Sequence, residues 1–432
     1  MKKAIKTFIA LLFAVFAVSS HGDAQNQNLR FEHTGIEEGL ANTDVTAILQ
    51  DKKGYIWIGT AGGLFKYDGY SFKRYQFDPL DSNSLSQNLI YTIFEDKQGS
   101  IWVSTFEGLC KFDRSTEKFT RYKPDATAKF SDPNISTINE DSEGMIWAGS
   151  ASGGLCRLDK QTGKFLPEYF DLGFQRLAGN QPDLHDNISS IYKDREGTLW
   201  AGNKSGLHEI KLIPSKNNQP SGIKITDYQY DAANKNSLSN NVVVTIFEDH
   251  SGVLWIGTAD GLNSFDRNTG QFTRYRHDPA NSNSISGSNL QTWSGNSIAE
   301  DQEGSLWITT DKGLNKLNKE RTVFKPYLFN PNDPLSISSD NVSALCIDRA
   351  GILWAGALDA KLNKANLNQK PFGLVSHDPA NANSLSSNNV AAILEDSSGT
   401  VWIGTYGEGL NRWDKKNNRI THSKTIPVMP GH

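Results

Sequence analysis

One pattern of three residues recurs along the chain: an Asp, a Gly three positions later and a Trp six positions after the Asp. The eight unbroken copies are Asp51, Gly54 and Trp57; Asp96, Gly99 and Trp102; Asp141, Gly144 and Trp147; Asp194, Gly197 and Trp200; Asp249, Gly252 and Trp255; Asp301, Gly304 and Trp307; Asp348, Gly351 and Trp354; and Asp396, Gly399 and Trp402. Successive Trp residues are 45 to 55 positions apart, a period typical of one β-propeller blade per repeat. The pattern therefore predicts an all-β fold built from similar units.

The second copy shows how each unit divides into strands. The runs "LIYTIFED", "SIWVST", "GLCKFD" and "KFTRYK" are short and rich in β-branched and aromatic residues, which predicts four strands per blade. In the first turn, Asp can accept hydrogen bonds from backbone N–H groups and Gly can supply a positive φ. The Trp faces are predicted to fill the spaces between blades. Eight equivalent Asp residues would be dispersed around a ring, which favours a structural role over a catalytic one.

The number of blades in the ring depends on where the N-terminal strand pairs. The segment 31–45, "FEHTGIEEGLANTDV", aligns with an outer strand followed by a link, but no blade precedes it. If Phe31 to His33 complete the seventh unit, residues 29–370 form a seven-bladed propeller. Residues 371–422 are then an eighth repeat that begins a second ring, followed by a tail at 423–432. If the strand completes the eighth unit instead, the chain is a single eight-bladed ring.

The N-terminus has the features of an export signal. Three lysines, Lys2, Lys3 and Lys6, precede an apolar run at 7–18 that is short for a membrane span. Small residues follow, so we expect residues 1–24 to be a signal peptide cleaved before Gln25. The protein is then exported, with a retained N-terminal anchor as the alternative.

Composition excludes several classes of function. The formal net charge is −4, which gives no indication of binding to nucleic acid or an anionic membrane. The three cysteines, Cys110, Cys156 and Cys346, are an odd number and are interpreted as buried apolar residues. No HExxH pair, metal-ligand cluster, P-loop or nucleophile elbow is present, so we expect no metal, no cofactor and no catalytic residues.

The links between repeats share a signature of turn residues. It is clearest in "FDPLDSNSLSQN" (77–88) and "HDPANANSLSSNN" (377–389). Asn, Asp, Pro and Ser each favour turns for their own physical reasons, so the links are interpreted as structural crossovers. A ligand-contacting role for some of them remains the alternative.

Two copies carry the clearest resemblance to a known family. "FEDHSGVLWIGTADGLNSFD" (247–266) and "LEDSSGTVWIGTYGEGLNRWD" (394–414), together with the "NSLSxN" links, resemble the two-component regulator propeller repeat. The resemblance implies exported propellers, commonly two in series, then a β-sandwich, a membrane helix and a histidine kinase or similar output. It also implies a periplasmic location, oligosaccharide ligands, and a membrane-bound kinase or a second copy of the chain as partner. This chain stops at "THSKTIPVMPGH" without those later parts, so a truncated gene product and a free-standing sensor are both expected alternatives.

Candidate ligand residues are sought where the copies differ. Trp293 and Asn296 lie in an insertion, where an exposed Trp beside polar groups would suit stacking on a sugar ring. His185 and Asp186 lie in the other long deviation, 174–187, and Tyr406 and Glu408 in a variable loop of the eighth copy. The hypothesis is therefore a non-enzymatic sensor that binds a small ligand. The alternatives are a secreted propeller lyase or hydrolase acting through His185 and Asp186, and a scaffold that binds another protein.

Overall fold

The regular secondary structure of the described residues consists of β-strands. The computed structural model describes residues 29–35, 39–40, 44–125, 130–151, 154–170, 187–213, 222–290, 297–358, 361–368, 375–379 and 381–423. Within these residues there is no helix, and the strands form eight four-stranded antiparallel sheets. The all-β expectation is confirmed. None of the described residues belongs to a helix long and apolar enough to cross a membrane.

The chain divides into two compact units, Met1–Asn368 and Gln369–His432. The strands of the first unit are β1 (Glu32–Thr34), β2 (Val45–Gln50), β3 (Ile56–Thr60), β4 (Gly63–Tyr67), β5 (Phe72–Tyr75), β6 (Ile90–Glu95), β7 (Ile101–Thr105), β8 (Gly108–Asp113), β9 (Lys118–Tyr122), β10 (Ile135–Glu140), β11 (Ile146–Ser150), β12 (Leu155–Asp159), β13 (Lys164–Phe170), β14 (Ser190–Lys193), β15 (Leu199–Gly202), β16 (Leu207–Ile213), β17 (Gly222–Tyr228), β18 (Val243–Glu248), β19 (Leu254–Thr258), β20 (Gly261–Asp266), β21 (Gln271–Tyr275), β22 (Ile298–Glu300), β23 (Leu306–Thr310), β24 (Gly313–Leu317), β25 (Phe324–Tyr327), β26 (Val342–Ile347), β27 (Ile352–Ala357) and β28 (Leu362–Asn366). The strands of the second unit are β29 (Val390–Glu395), β30 (Val401–Thr405), β31 (Gly409–Asp414) and β32 (Arg419–Ser423).

The chain's first strand completes its seventh sheet. Six sheets of the first unit each use four consecutive strands, beginning with β2, but the seventh has the order β1-β28-β27-β26. In that sheet His33 pairs with Asn363 in antiparallel register. The first strands of the seven sheets contact one another in chain order, and β26 contacts β2. We call this arrangement the seven-sheet cycle.

Adjacent sheets of the cycle interlock through a large residue and a glycine. Trp57 of the first sheet shares an apolar cluster with Val103 and Phe112 of the second, and the Trp57 and Phe112 rings lie 5.0 Å apart in an edge-to-face arrangement. Two residues after the Trp, Gly59 leaves room for Ile90, because a Cβ at Gly59 would lie 2.7 Å from Ile90 Cγ2. The same close approach follows four other Trp residues, at Gly149, Gly202, Gly257 and Gly356.

A bulge in the first strand supplies a second contact between sheets. In β6 the register shifts between Ile90 and Thr92, and β2 shifts in the same way between Val45 and Ala47. The bulged residue Thr46 donates its hydroxyl to Ile90 O of the next sheet over 2.6 Å. Bulges turn side chains out of the regular alternation, which here directs a hydroxyl toward the neighbouring sheet.

The second unit is one sheet with a small core of its own, made by Leu385, Val401, Ile403 and Ile420. Every residue of β29 is exposed, including Ile393 at 68% and Leu394 at 66%. The predicted signal peptide at 1–24 and all but the first residue of the tail at 423–432 lie outside the described residues.

Candidate functional site

The repeated triplet forms the same hydrogen-bonded turn in all eight copies. In the first copy, Asp51 Oδ1 accepts the backbone N–H groups of Lys53 and Tyr55 at 2.9 and 3.0 Å. The glycine N–H bonds back to the Asp carbonyl in every copy, with a glycine φ between +77° and +99°. The other carboxylate oxygen, Oδ2, accepts the indole N–H of the Trp at 2.8 to 2.9 Å in every copy. This last bond was not predicted from the sequence.

Four of these Asp residues also hold a cation from the following sheet. Arg114 of the second sheet bonds Asp51 Oδ2 at 2.6 Å and Glu95 Oε1 at 3.0 Å. The second oxygen of Glu95 accepts the N–H of Lys52 at 2.7 Å, so the charges tie two sheets together. We call this arrangement the ion clasp. The other clasps join Asp96 to Lys160 and Glu140, Asp194 to Arg267 and Glu248, and Asp249 to Arg321 and Glu300.

In one clasp the carboxylate of Asp96 has a lowered pKa and is therefore ionised near neutral pH. Burial alone would raise the pKa of Asp96, but hydrogen bonds from the Trp102 indole and Ser100 N–H, with the charge of Lys160, lower that pKa below its usual value. Such a group is a poor proton donor near neutral pH. The interactions of the repeated Asp are therefore those of a structural group.

An open cavity of about 580 Å³ lies at the clasp between the fifth and sixth sheets. Asp249, Glu300, Arg321 and the exposed His250 line it. These groups are already paired with one another: Arg321 lies 3.0 Å from Asp249 Oδ2, and His250 Nδ1 lies 2.6 Å from Glu300 Oε2. In the described part of the structure, the cavity therefore has concentrated charge but no unpaired acid and base facing each other.

The links are fixed to the sheets they lead into. Before the fifth sheet, the link residue Ser239 donates its N–H to Asn263 Oδ1 at 2.9 Å and receives Asn263 Nδ2 on its hydroxyl at 2.9 Å. The same hydroxyl lies 2.8 Å from Thr258 Oγ1. We call the place between the last residue of the second strand and the polar residue of the third strand the link socket. A link serine takes the same place in four other sheets, as Ser86, Ser286, Ser338 and Ser386.

The cysteines match their apolar interpretation only in part. Cys110 and Cys156 are buried, and Cys346 is partly buried. Cys110 is also the third-strand residue that borders the link socket of the second sheet, where its thiol donates to Ser86 Oγ over 3.2 Å. Burial raises the pKa of the Cys110 thiol, which disfavours the reactive thiolate.

Only two of the six predicted ligand residues, Tyr406 and Glu408, lie in the described part of the structure. Tyr406 and Glu408 lie in the turn between β30 and β31, where Tyr406 is 68% exposed. Trp293, Asn296, His185 and Asp186 lie outside the described residues, so their ligand role stays a prediction. Among the described residues, no group of three or more His, Cys, Asp and Glu side chains could hold a metal ion.

Comparison with known families identifies the repeat. Five segments match the two component regulator propeller: residues 39–62, 84–107, 183–205, 237–260 and 384–407. These matches confirm the resemblance to the two component regulator propeller repeat that was seen in the sequence. Propellers of this family are non-catalytic sensor domains, which supports the expectation that the chain is not an enzyme.

Individual relatives are consistent with that assignment. Histidine kinase P4 of Formosa agariphila is 43% identical over 82 residues, which are 19% of this chain and 6% of the kinase. Two solved extracellular domains from B. thetaiotaomicron share the fold. One belongs to the putative hybrid two component system BT3049, with a TM-score of 0.63 and 22% identity over 92% of this chain and 55% of that one. The other belongs to the putative one component system BT4673, with a TM-score of 0.60 and 21% identity over 91% of this chain and 53% of that one. The chain thus spans about half the length of these solved domains.

The fold is also shared by an enzyme. Virginiamycin B lyase from Staphylococcus aureus has a TM-score of 0.56 at 15% identity, covering 78% of this chain and 99% of the lyase. At that identity the similarity concerns the fold alone.

Proposed function

We propose that this chain is the exported, ligand-sensing part of a two-component signalling system. The observation that carries the proposal is the match of five repeats, in both units, to the two component regulator propeller. The similarity of one segment to a histidine kinase supports the same context. The output would reside on another polypeptide or another part of a longer one, and a membrane-bound kinase or a second copy of the chain would be its partner.

The architecture proposed for the sensor is a seven-bladed propeller followed by one blade of a further ring. The pairing of β1 with β28 and the contact of β26 with β2 support this arrangement over a single ring of eight. In a closed ring every blade packs against two neighbours, so the ring offers a rigid frame on which variable loops can bind a ligand.

The proposed ligand is an oligosaccharide, and the proposed location is the periplasm. Support for export comes from the apolar N-terminal run and from the similarity to extracellular domains of bacterial sensors. Support for a carbohydrate comes from exposed aromatic side chains beside polar ones in variable turns, of which Tyr406 is one described example.

A thermal-shift screen of the mature protein against defined oligosaccharides tests this function. A ligand that binds only the native state at a hundred times its Kd stabilises the protein by about 2.7 kcal/mol, which moves Tm by several degrees. A saturable shift with one glycan class, without its chemical conversion, supports a sensor. Conversion that disappears when His185 or Asp186 is replaced would favour the lyase alternative. The absence of a shift with every glycan would contradict carbohydrate sensing.

A further inference from the structure

The fourth sheet differs from the others at its link socket. Where the second, fifth, sixth and eighth sheets end their second strand with Thr, the fourth has Asn203. Where those sheets have Asn or Cys in the third strand, the fourth has His208. Both side chains are buried, with Asn203 at 0% and His208 at 2% exposure.

The two side chains lie on the same face of the sheet. His208 pairs directly with Ala201 across β15 and β16, and Asn203 is two positions beyond Ala201. Residues two apart on a strand share a face, so His208 and Asn203 are diagonal neighbours. The turn that connects the two strands contains Lys204, which is exposed, and Ser205, which is partly exposed.

Hydrogen bonds fix which nitrogen of each side chain remains available. Asn203 Oδ1 accepts the N–H groups of Ser205 at 2.8 Å and Gly206 at 3.0 Å, which leaves Nδ2 as a donor. His208 Nδ1 lies 2.7 Å from the carboxylate of Asp227, an acceptor-only group, so Nδ1 carries the proton and Nε2 is an acceptor. Burial lowers the pKa of His208, which favours this neutral form.

Neither of these nitrogens has a partner among the described residues. Asn203 Nδ2 and His208 Nε2 are both buried without a hydrogen bond. Buried polar groups of proteins are almost always paired, so two orphans on one face require an explanation. In other sheets the link supplies a serine hydroxyl at this place, but residues 171–187, which lead into the fourth sheet, contain no Ser or Thr.

We propose that the fourth link socket binds two adjacent hydroxyl groups of a saccharide. One hydroxyl donates its proton to His208 Nε2, and the oxygen of its neighbour accepts Asn203 Nδ2–H. A vicinal diol thereby replaces the N–H and hydroxyl that Ser239 presents to Asn263 and Thr258 in the fifth sheet. This inference rests on the proposed carbohydrate-sensing function and assigns it a place.

The test restores the ordinary socket residues in the fourth sheet. The probes are maltotriose, cellotriose, laminaritriose, mannotriose and xylotriose, titrated calorimetrically into the mature protein. For each probe that binds, the double variant His208→Asn with Asn203→Thr is expected to lose at least about tenfold in affinity, because both hydrogen bonds change partner type. The matched control Ser86→Ala empties an ordinary socket in the second sheet and is expected to leave affinity unchanged.

A second measurement does not depend on the variants folding. In wild-type protein with isotope-labelled histidine, the Nε2 resonance of His208 is expected to move in proportion to saturation by the bound probe. If a probe binds while this resonance stays still and the folded double variant keeps its affinity, the inference is wrong and the sensing function stands. If no probe binds or moves the resonance, the proposed carbohydrate function itself fails.

Discussion

The seven-sheet cycle and the eighth sheet have the same repeat but different surroundings. Within the eighth sheet the local geometry is intact: Trp402 donates to Asp396 Oδ2 at 2.8 Å, and Gly399 has a φ of +79°. In the cycle, Trp57 is fully buried against the next sheet, whereas Trp402 is only partly buried and Leu394 beside it is 66% exposed. The repeat therefore specifies two separate features. One is a turn that forms within a single sheet, and the other is an apolar sheet face that is buried only when a neighbouring sheet packs against it.

The charged residues show the same separation. Lys415 and Glu395 of the eighth sheet form a 2.8 Å pair at the positions that Arg114 and Glu95 occupy in the second sheet. There Arg114 also holds Asp51 of the preceding sheet, but no such Asp is bound to Lys415 in the described structure. Half of the clasp thus forms within one sheet, and only a neighbouring sheet completes it.

Replacing the repeat Trp should separate the two regions most strongly. Trp57→Ala is expected to cost the first unit about 3–5 kcal/mol, because it empties a fully buried site. Trp402→Ala should cost the second unit about 1–2 kcal/mol, since its side chain already contacts solvent. Denaturant unfolding followed by hydrogen–deuterium exchange in peptides from each unit measures both. Equal losses would mean that Trp57 contributes nothing through the neighbouring sheet.

Filling the interlocking glycine is the next largest expected effect. A Cβ at Gly356 would lie 2.4 Å from Val45 Cγ1, so Gly356→Ala should destabilise the first unit by about 1–3 kcal/mol through overpacking. The nearest atoms to a Cβ at Gly404 are 3.9 Å away, and Gly404→Ala should change stability by less than about 0.5 kcal/mol. The same exchange measurement applies. A tolerated Gly356→Ala would contradict the close approach of the first and seventh sheets.

Breaking an ion clasp should lower the free energy of unfolding less than filling an interlocking glycine does. Arg114 is 19% exposed on its side chain, so Arg114→Met is expected to destabilise the first unit by about 1–2 kcal/mol by leaving Asp51 without its cation. Lys415→Met, at a position 41% exposed, should change stability by less than about 0.5 kcal/mol. Urea unfolding at low and high salt measures both losses. A loss at Arg114 as small as that at Lys415 would show that the clasp adds no stability across sheets.

Acid should weaken the clasps gradually. The pKa of Asp96 and of Asp249 is lowered in the folded protein, so their stabilisation is complete above the usual carboxyl pKa of 3.8. It is lost as pH falls from there through the lowered folded-state pKa. The variant Asp96→Asn should therefore show a shallower decline of first-unit stability below about pH 4 than wild type. Parallel declines in urea titrations at several pH values would contradict this assignment.

The sequence predicted the parts of the fold that are written within one repeat. The Asp-Gly turn, the four strands and the Trp face follow from spacing alone, because their partners lie within a few residues. The clasp was missed because Arg114 and Asp51 are 63 positions apart, in different repeats. The sequence does contain a signal for it. Copies with a Glu directly before the Asp also have a cation after the third strand, as with Glu95 and Arg114 or with Glu395 and Lys415. The fourth copy has Lys193 in place of this Glu.

The candidate site was predicted only as a region. The segment before the fourth sheet was singled out as a deviation in the sequence, and the unpaired nitrogens of Asn203 and His208 belong to the sheet that follows this segment along the chain. These two side chains stand out only by comparison with the link sockets of the other sheets. The sockets could not be predicted from the sequence, because the link, the second strand and the third strand come together only in the folded protein. The same distinction holds throughout: copies that agree make the scaffold, and copies that differ are where binding is proposed.

The most direct test of the sensing account is calorimetric titration of the mature protein with the same oligosaccharides, followed by chromatography of each glycan after prolonged incubation. The account predicts saturable binding of at least one glycan, which is recovered unchanged. Binding of none, or recovery of a cleaved or eliminated product, would contradict it.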